Sequence, residues 1–209
     1  ALSYKIFGIS EWSTRIVPLL ATAGSIVLIF LIGSQLVNIR TGLIASLLIL
    51  GTPMVLYFGK NASHEPLALF FILCSFYGYI SLGKLKYAQT IFIAGLILAE
   101  MTAWAGYFLI PALSLINLLR KDINQFKKLI PYWLLSIILF SLHLFHVKIL
   151  TGSISGGNLL DSLLQRSGVL AAVQPSEFGL LSYLNQLRLW FSTLYTLTLT
   201  ILATIWLII

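Results

Sequence analysis

Long apolar runs, separated by short polar breaks, constrain this chain more than any other feature. A helix that crosses a bilayer needs roughly 17–25 mostly apolar residues. Seven such runs are expected, at about 14–36, 42–59, 65–83, 87–102, 103–119, 129–150 and 190–209. Charged residues make up only 9% of the 209 residues, against about 25% in an ordinary soluble domain. The expected fold is therefore all-α: a polytopic transmembrane helix bundle forming one domain over 1–209. The fourth and fifth runs are short and meet at "AEMTAWAGY". Interrupted spans of this kind accompany sites at membrane depth, because irregular backbone survives there only inside protein or against a watery cavity.

Lysine and arginine placement sets the orientation. One set of loops holds Arg40, Lys84, Lys86, Arg120, Lys121, Lys127 and Lys128 against the single acid Asp122, a balance of +6. The other side holds Lys5, Arg15, Lys60, Lys148, Arg166 and Arg188 against Glu11, Glu65, Glu100, Asp161 and Glu177, a balance of +1. The raw basic counts are nearly equal, but the first set lies in compact loops, which are the ones that fix topology. Those loops are read as cytoplasmic. The loop around residues 60–65 and the segment 151–189 then face outward. The net charge of +7 thus reads as membrane orientation, and nucleic acid is not an expected partner. The lone cysteine, Cys74, rules out an internal disulfide and a cysteine-based metal site.

Four polar groups stand out. Lys60-Asn61-Ala62-Ser63-His64-Glu65-Pro66 reads as a helix start, with Ser63 as N-cap, Glu65 favouring the positive helix end and Pro66 in the first turn. The same residues suit a metal ligand pair, His64 and Glu65, or acid–base chemistry, and Asn61-Ala62-Ser63 fits a glycosylation sequon. Glu100 is an acid inside an apolar stretch. Such a group is costly and functional by default, the structural alternative being an ion pair that holds the bundle. Trp104 and Tyr107 beside it serve either an interfacial aromatic belt or a stacking face for a sugar ring. His143 and His146 lie one helical turn apart, a spacing that suits metal ligation or hydrogen bonds between helices. Within 151–189, Leu159, Leu160, Leu163 and Leu164 oppose Asp161, Gln165 and Arg166, which predicts an interfacial amphipathic helix. Arg166 either snorkels to water or clamps a phosphate. Nucleotide-binding loops, dinucleotide fingerprints, nucleophile elbows and zinc-protease motifs are not seen in the sequence.

The order of these pieces resembles membrane glycosyltransferases of the C-type fold, in the branch of protein O-mannosyltransferases and aminoarabinose transferases. "YKIFGISEWSTRIVPLL" is similar to the family's aromatic-x-hydrophobic-Gly stretch followed by a small-acid-aromatic-x-x-Arg run, here Phe7-Gly8 and Glu11-Trp12-Ser13-Thr14-Arg15. A Pro-containing span then ends in Tyr57-Phe58-Gly59-Lys60, and a small outer loop carries the acid Glu65. "GLILAEMTAW" resembles the family's Gly-Leu-x-x-x-x-Thr segment, although Ala103 stands where many relatives carry a charged residue. The resemblance covers most of residues 1–120.

It implies transfer of a sugar from a polyprenyl-phosphate carrier to a protein, lipid or glycan acceptor at the extracytoplasmic face. Glu65 is then a supporting second-loop acid, and Lys60 and Arg166 are donor-phosphate ligands. Arg15, Tyr57, His64, Glu100 and Trp104 are further candidates, and a divalent metal is the one conceivable cofactor. The family's main catalytic aspartate would lie ahead of Ala1. The chain opens without methionine and closes in an apolar run, so an internal segment of a longer protein, inactive by itself, is expected. A bacterial or archaeal plasma membrane is expected rather than the endoplasmic reticulum. The competing reading is a multi-span transporter or lipid flippase using Glu100, His143 and His146 as a proton path; a non-catalytic scaffold is the third.

Overall fold

In a computed structural model of the chain, residues 8–61 and 63–151 are described. Every regular element among them is helical: α1 (Glu11–Leu36), α2 (Ile39–Leu50), α3 (Pro53–Gly59), α4 (Glu65–Ile80), α5 (Ala88–Thr102), a 3-10 helix (Trp104–Phe108), α6 (Leu109–Leu119), α7 (Ile123–Lys128) and α8 (Ile130–Thr151). Two stretches, Glu11–Leu36 and Ile123–His146, are long and apolar enough to cross a membrane; the helices between them are shorter apolar segments. The chain divides into a unit of residues 1–136 and a second of residues 137–209. The seventh expected span, the outer segment 151–189 with its amphipathic helix, and Arg166 lie outside the described residues.

Local chemistry explains the boundaries. Ser10 caps α1 in a reciprocal box with Ser13: the Ser13 N–H donates to Ser10 Oγ at 3.2 Å and the Ser10 N–H donates to Ser13 Oγ at 3.0 Å. Asn38 caps α2 through the Thr41 N–H at 2.9 Å. The expected span 42–59 is two helices, α2 and α3. Pro53 has no N–H to donate to the carbonyl four residues back, so the first helix ends and Pro53 opens the next. The expected span 103–119 likewise divides into the 3-10 helix and α6.

Small residues set how the helices meet. Ser75 lies against Gly95, and its hydroxyl donates to the Phe92 carbonyl at 2.9 Å. A Cβ on Gly95 would stand 2.6 Å from the Ser75 amide nitrogen, and one on Gly78 would stand 2.5 Å from that of Phe92. This is the close backbone approach that membrane helices reach through small residues. The contacts Gly78–Phe92 and Ser75–Gly95 make α4 and α5 antiparallel neighbours. Gly24 beside Phe70 and Gln35 beside Ser81 keep one constant sequence spacing, so α1 and α4 run parallel. Phe92, Leu96, Leu109, Ile110, Leu113 and Leu129 form the apolar core, with Tyr79, Tyr132 and Trp133 packed against it.

The bundle of residues 8–136 has two chemically distinct ends. At one, Gln35 accepts from the Ser81 hydroxyl at 3.0 Å and donates to the Ile80 carbonyl at 3.1 Å. Tyr79 and Asn117 hydrogen-bond nearby. These contacts join the ends of α1, α4 and α6, after which come Arg40 in the first turn of α2, Lys84, Lys86, Arg120 and Lys121 in short loops, and Lys127 and Lys128 at the end of α7. The basic loops of the topology argument therefore share one end.

Candidate functional site

The opposite end of this bundle gathers the polar residues singled out in the sequence. The parallel register of α1 and α4 brings Glu65, the first residue of α4, level with Leu19, one turn along α1 from Arg15. Thr22 of α1 packs on Gly59, one residue before Lys60. Carrying the antiparallel register of α4 and α5 outward brings Glu65 level with Ala105, inside the 3-10 helix, and that helix touches α4. Arg15, Tyr57, Lys60, His64, Glu65 and Trp104 therefore share one end, and all six are exposed. Sequence position scatters them over ninety residues; helix register collects them.

Each has a definite setting. Arg15 is engaged with Glu11 one turn earlier, at 2.6 Å. Both side chains are largely exposed, so the pair contributes only about 0.3–0.5 kcal/mol and leaves the guanidinium available. Tyr57 stands edge-on to Phe58, ring centroids 5.2 Å apart. His64 Nδ1 lies 3.9 Å from Glu65 Oε2, an ion pair only when the imidazole is protonated. Glu65 sits at the polar mouth of α4, ahead of the apolar run. The nearby Ser63 hydroxyl, the free N–H of its own residue and His64 hold its carboxyl below the ordinary range, against a small opposing effect of burial. The Ser63 hydroxyl itself makes no hydrogen bond of standard geometry.

The capping expectation needs correction. The residue at the N-cap of α4 is His64, in a helical backbone conformation and with no side-chain cap bond. Ser63 lies one residue too early. Pro66 sits in the first turn, as expected.

His64 and Glu65 offer two donor groups to a metal. Among the described residues no group of three His, Cys, Asp or Glu side chains stands together. Two exposed side chains are one short of such a group. His143 and His146 both lie on α8, in the second unit.

Glu100 differs from the rest. It is 2% exposed, and its Oε1 accepts the Ser136 hydroxyl. The ion pairs found among the described residues, Glu11–Arg15 and His64–Glu65, do not include it. The bundle-holding ion pair anticipated as its structural role is replaced by this neutral donor. Ser136 gives little signal in the sequence beyond a hydroxyl within the apolar "WLLSIILF". Trp104 and Tyr107 stand 6.1 Å apart between ring centroids, in the turn just beyond Glu100.

A helical membrane bundle with a basic end and an opposite end that presents acids, cations and aromatics is the class that these features define. The dolichyl-phosphate-mannose-protein mannosyltransferase family model matches residues 1–146. The chain belongs to that family, whose members are integral membrane glycosyltransferases that draw sugar from a polyprenyl-phosphate carrier. Neither a curated protein nor a solved structure matches the chain.

Proposed function

We propose that this chain handles the lipid-linked donor in a glycosyltransferase acting at the extracytoplasmic face. The observation that carries the reading is the convergence of Arg15, Lys60, Glu65 and Trp104 on one bundle end, within the segment matched by the family. That end is opposite the compact basic loops, so the positive-inside rule makes it the outer end.

The chemistry asks for what this end offers. In the transfer, the bond between the sugar's anomeric carbon and the carrier phosphate breaks and a bond to an acceptor hydroxyl forms. The phosphate leaves with its bonding electron pair, and the hydroxyl proton passes to a base. Cations beside the phosphate stabilise the charge that develops on it. Lys60 supplies one, and Arg166, from the segment beyond the described residues, is assigned as a second. Glu65 is assigned as a supporting carboxylate that orients the donor end through its neighbours. Trp104 and Tyr57 offer exposed aromatic faces to a sugar ring. The carrier's isoprenoid tail needs an apolar surface, which the exposed Leu43, Ile44 and Leu47 of α2 exemplify.

The acceptor is read as a protein, following the family description, with lipid and glycan acceptors as the alternatives that an assay must separate. The direct test uses the intact protein in membranes with labelled polyprenyl-phosphate mannose, a matching nucleotide sugar and candidate acceptors. Label passing from the lipid donor to acceptor supports the reading. Transfer from the nucleotide sugar alone, or from neither, contradicts it.

A further inference from the structure

Glu100 is the buried ionisable group that the donor reading leaves without a task. Its surroundings tie three elements together. It lies in the last turn of α5, and Ser136, on the first third of α8, donates to its Oε1. Gly106 of the 3-10 helix packs on the Ala99–Glu100 backbone so closely that no Cβ could be added there. Tyr107 is within electrostatic reach of the Glu100 carboxyl and in ring contact with Trp104. The chain between Glu100 and Trp104 breaks helical form at Ala103, which is extended. The turn re-enters as a 3-10 helix, in which the Gly106 N–H donates to the Ala103 carbonyl at 3.0 Å. The Glu100 side chain supplies a fixed point next to it.

We propose that Glu100 is a positioning residue: its hydrogen bond with Ser136 fixes the end of α5 against α8 and so holds the Trp104–Phe108 turn at the height where Trp104 faces the lipid-linked donor. The second part rests on the donor reading above; the first does not. A buried carboxylate with no basic partner among the described residues is expensive if charged, so the link requires the acceptor oxygen and the shape of the side chain, not a negative charge. Glutamine keeps both. Leucine keeps the volume and removes the oxygen.

Two measurements on the intact protein separate the parts. The first is labelling by a water-soluble maleimide in detergent, in a Trp104→Cys, Cys74→Ser background. Glu100→Leu and Ser136→Ala should each raise the labelling rate about tenfold, the double variant no further, and Glu100→Gln should stay within about twofold of the parent. Unchanged labelling in Glu100→Leu overturns the positioning role. So does a double variant whose effect is the product of the singles, because the two residues would then act independently.

The second is donor titration in the transfer assay, with Trp104 native. Glu100→Leu should raise KM for the polyprenyl-phosphate sugar about tenfold with kcat within about twofold, and Glu100→Gln should restore KM. A loss confined to kcat, or glutamine as damaging as leucine, overturns the link to the donor. Absence of transfer by the parent protein defeats the donor reading and with it the second part, while the labelling result still decides the first.

Discussion

Ser75 reaches across from α4 to the Phe92 carbonyl of α5 at 2.9 Å, at the point where Gly95 brings the two backbones together. That bond sets the register from which the shared end of Glu65 and Trp104 follows. A single interhelical hydrogen bond in a membrane protein contributes only about 0.6 kcal/mol on average. The close packing around it therefore carries most of the specificity.

Gly95→Ala and Gly78→Ala should both destabilise the bundle. The added Cβ meets backbone atoms of the neighbouring helix at 2.6 and 2.5 Å, which cannot move aside as a side-chain tip would. Overpacking of this kind costs about 1–3 kcal/mol. Thermal denaturation in detergent should show a lower midpoint for each variant; an unchanged midpoint for both would argue against the close approach.

Gln35→Leu should weaken the basic end and leave the donor end alone. It removes the bonds to the Ser81 hydroxyl and the Ile80 carbonyl, together about 1–2 kcal/mol. The expected outcome is a lower unfolding midpoint with KM for donor unchanged. A raised donor KM at unchanged stability would place Gln35 in the wrong role.

Lys60→Ala should raise KM for the polyprenyl-phosphate sugar about tenfold, the scale of one charge-assisted hydrogen bond to phosphate. Acceptor KM should hold. Arg166→Ala is expected to act in the same direction. Equal losses toward donor and acceptor would count against a phosphate contact.

The pH dependence has a fixed sign. The Glu65 carboxyl titrates below its ordinary value, so its charge is present at neutral pH and is lost only as pH falls through that lowered value. Any stabilisation that comes with the shift is lost in the same direction. The ratio of wild-type to Glu65→Gln activity should therefore stay flat from about pH 8 to pH 5.5, above the usual carboxylate range near 4.3, and narrow only below it. A ratio that already falls between pH 8 and 6 would show that another group is responsible.

Much of the fold is legible in the sequence because apolar length and proline chemistry are local signals. The run that ends at Leu36 and the starts of α4 and α5 follow from them, and so does the start of α4 at Glu65–Pro66. The division of 42–59 at Pro53 was equally present in the residues, yet a continuous apolar run masks it unless the missing N–H is counted. The cap of α4 was misplaced by one residue because Ser63 is the better capping side chain, while the turn through Asn61 and Ser63 delivers His64 to that position.

The candidate site was only half legible. Its residue types could be picked out, since acids and aromatics at span ends are rare enough to notice. Their convergence could not, because it depends on the Ser75–Gly95 and Gly24–Phe70 contacts, and small residues recur throughout the spans. Glu100 announced itself as an acid in apolar surroundings. Its partner Ser136 did not: thirty-six residues away, a serine in a membrane helix more often bonds its own backbone, as Ser141 does to Ile137.

The central claim is that the outer end of this bundle handles a polyprenyl-phosphate sugar, with Glu65 as a working carboxylate. The most direct measurement is single-turnover transfer from labelled polyprenyl-phosphate mannose by the intact protein, comparing wild type with Glu65→Gln at matched folded amounts. The account predicts a loss of about 10–100-fold, the scale of one charge-assisted hydrogen bond from a supporting carboxylate. Transfer by Glu65→Gln at the wild-type rate would contradict it.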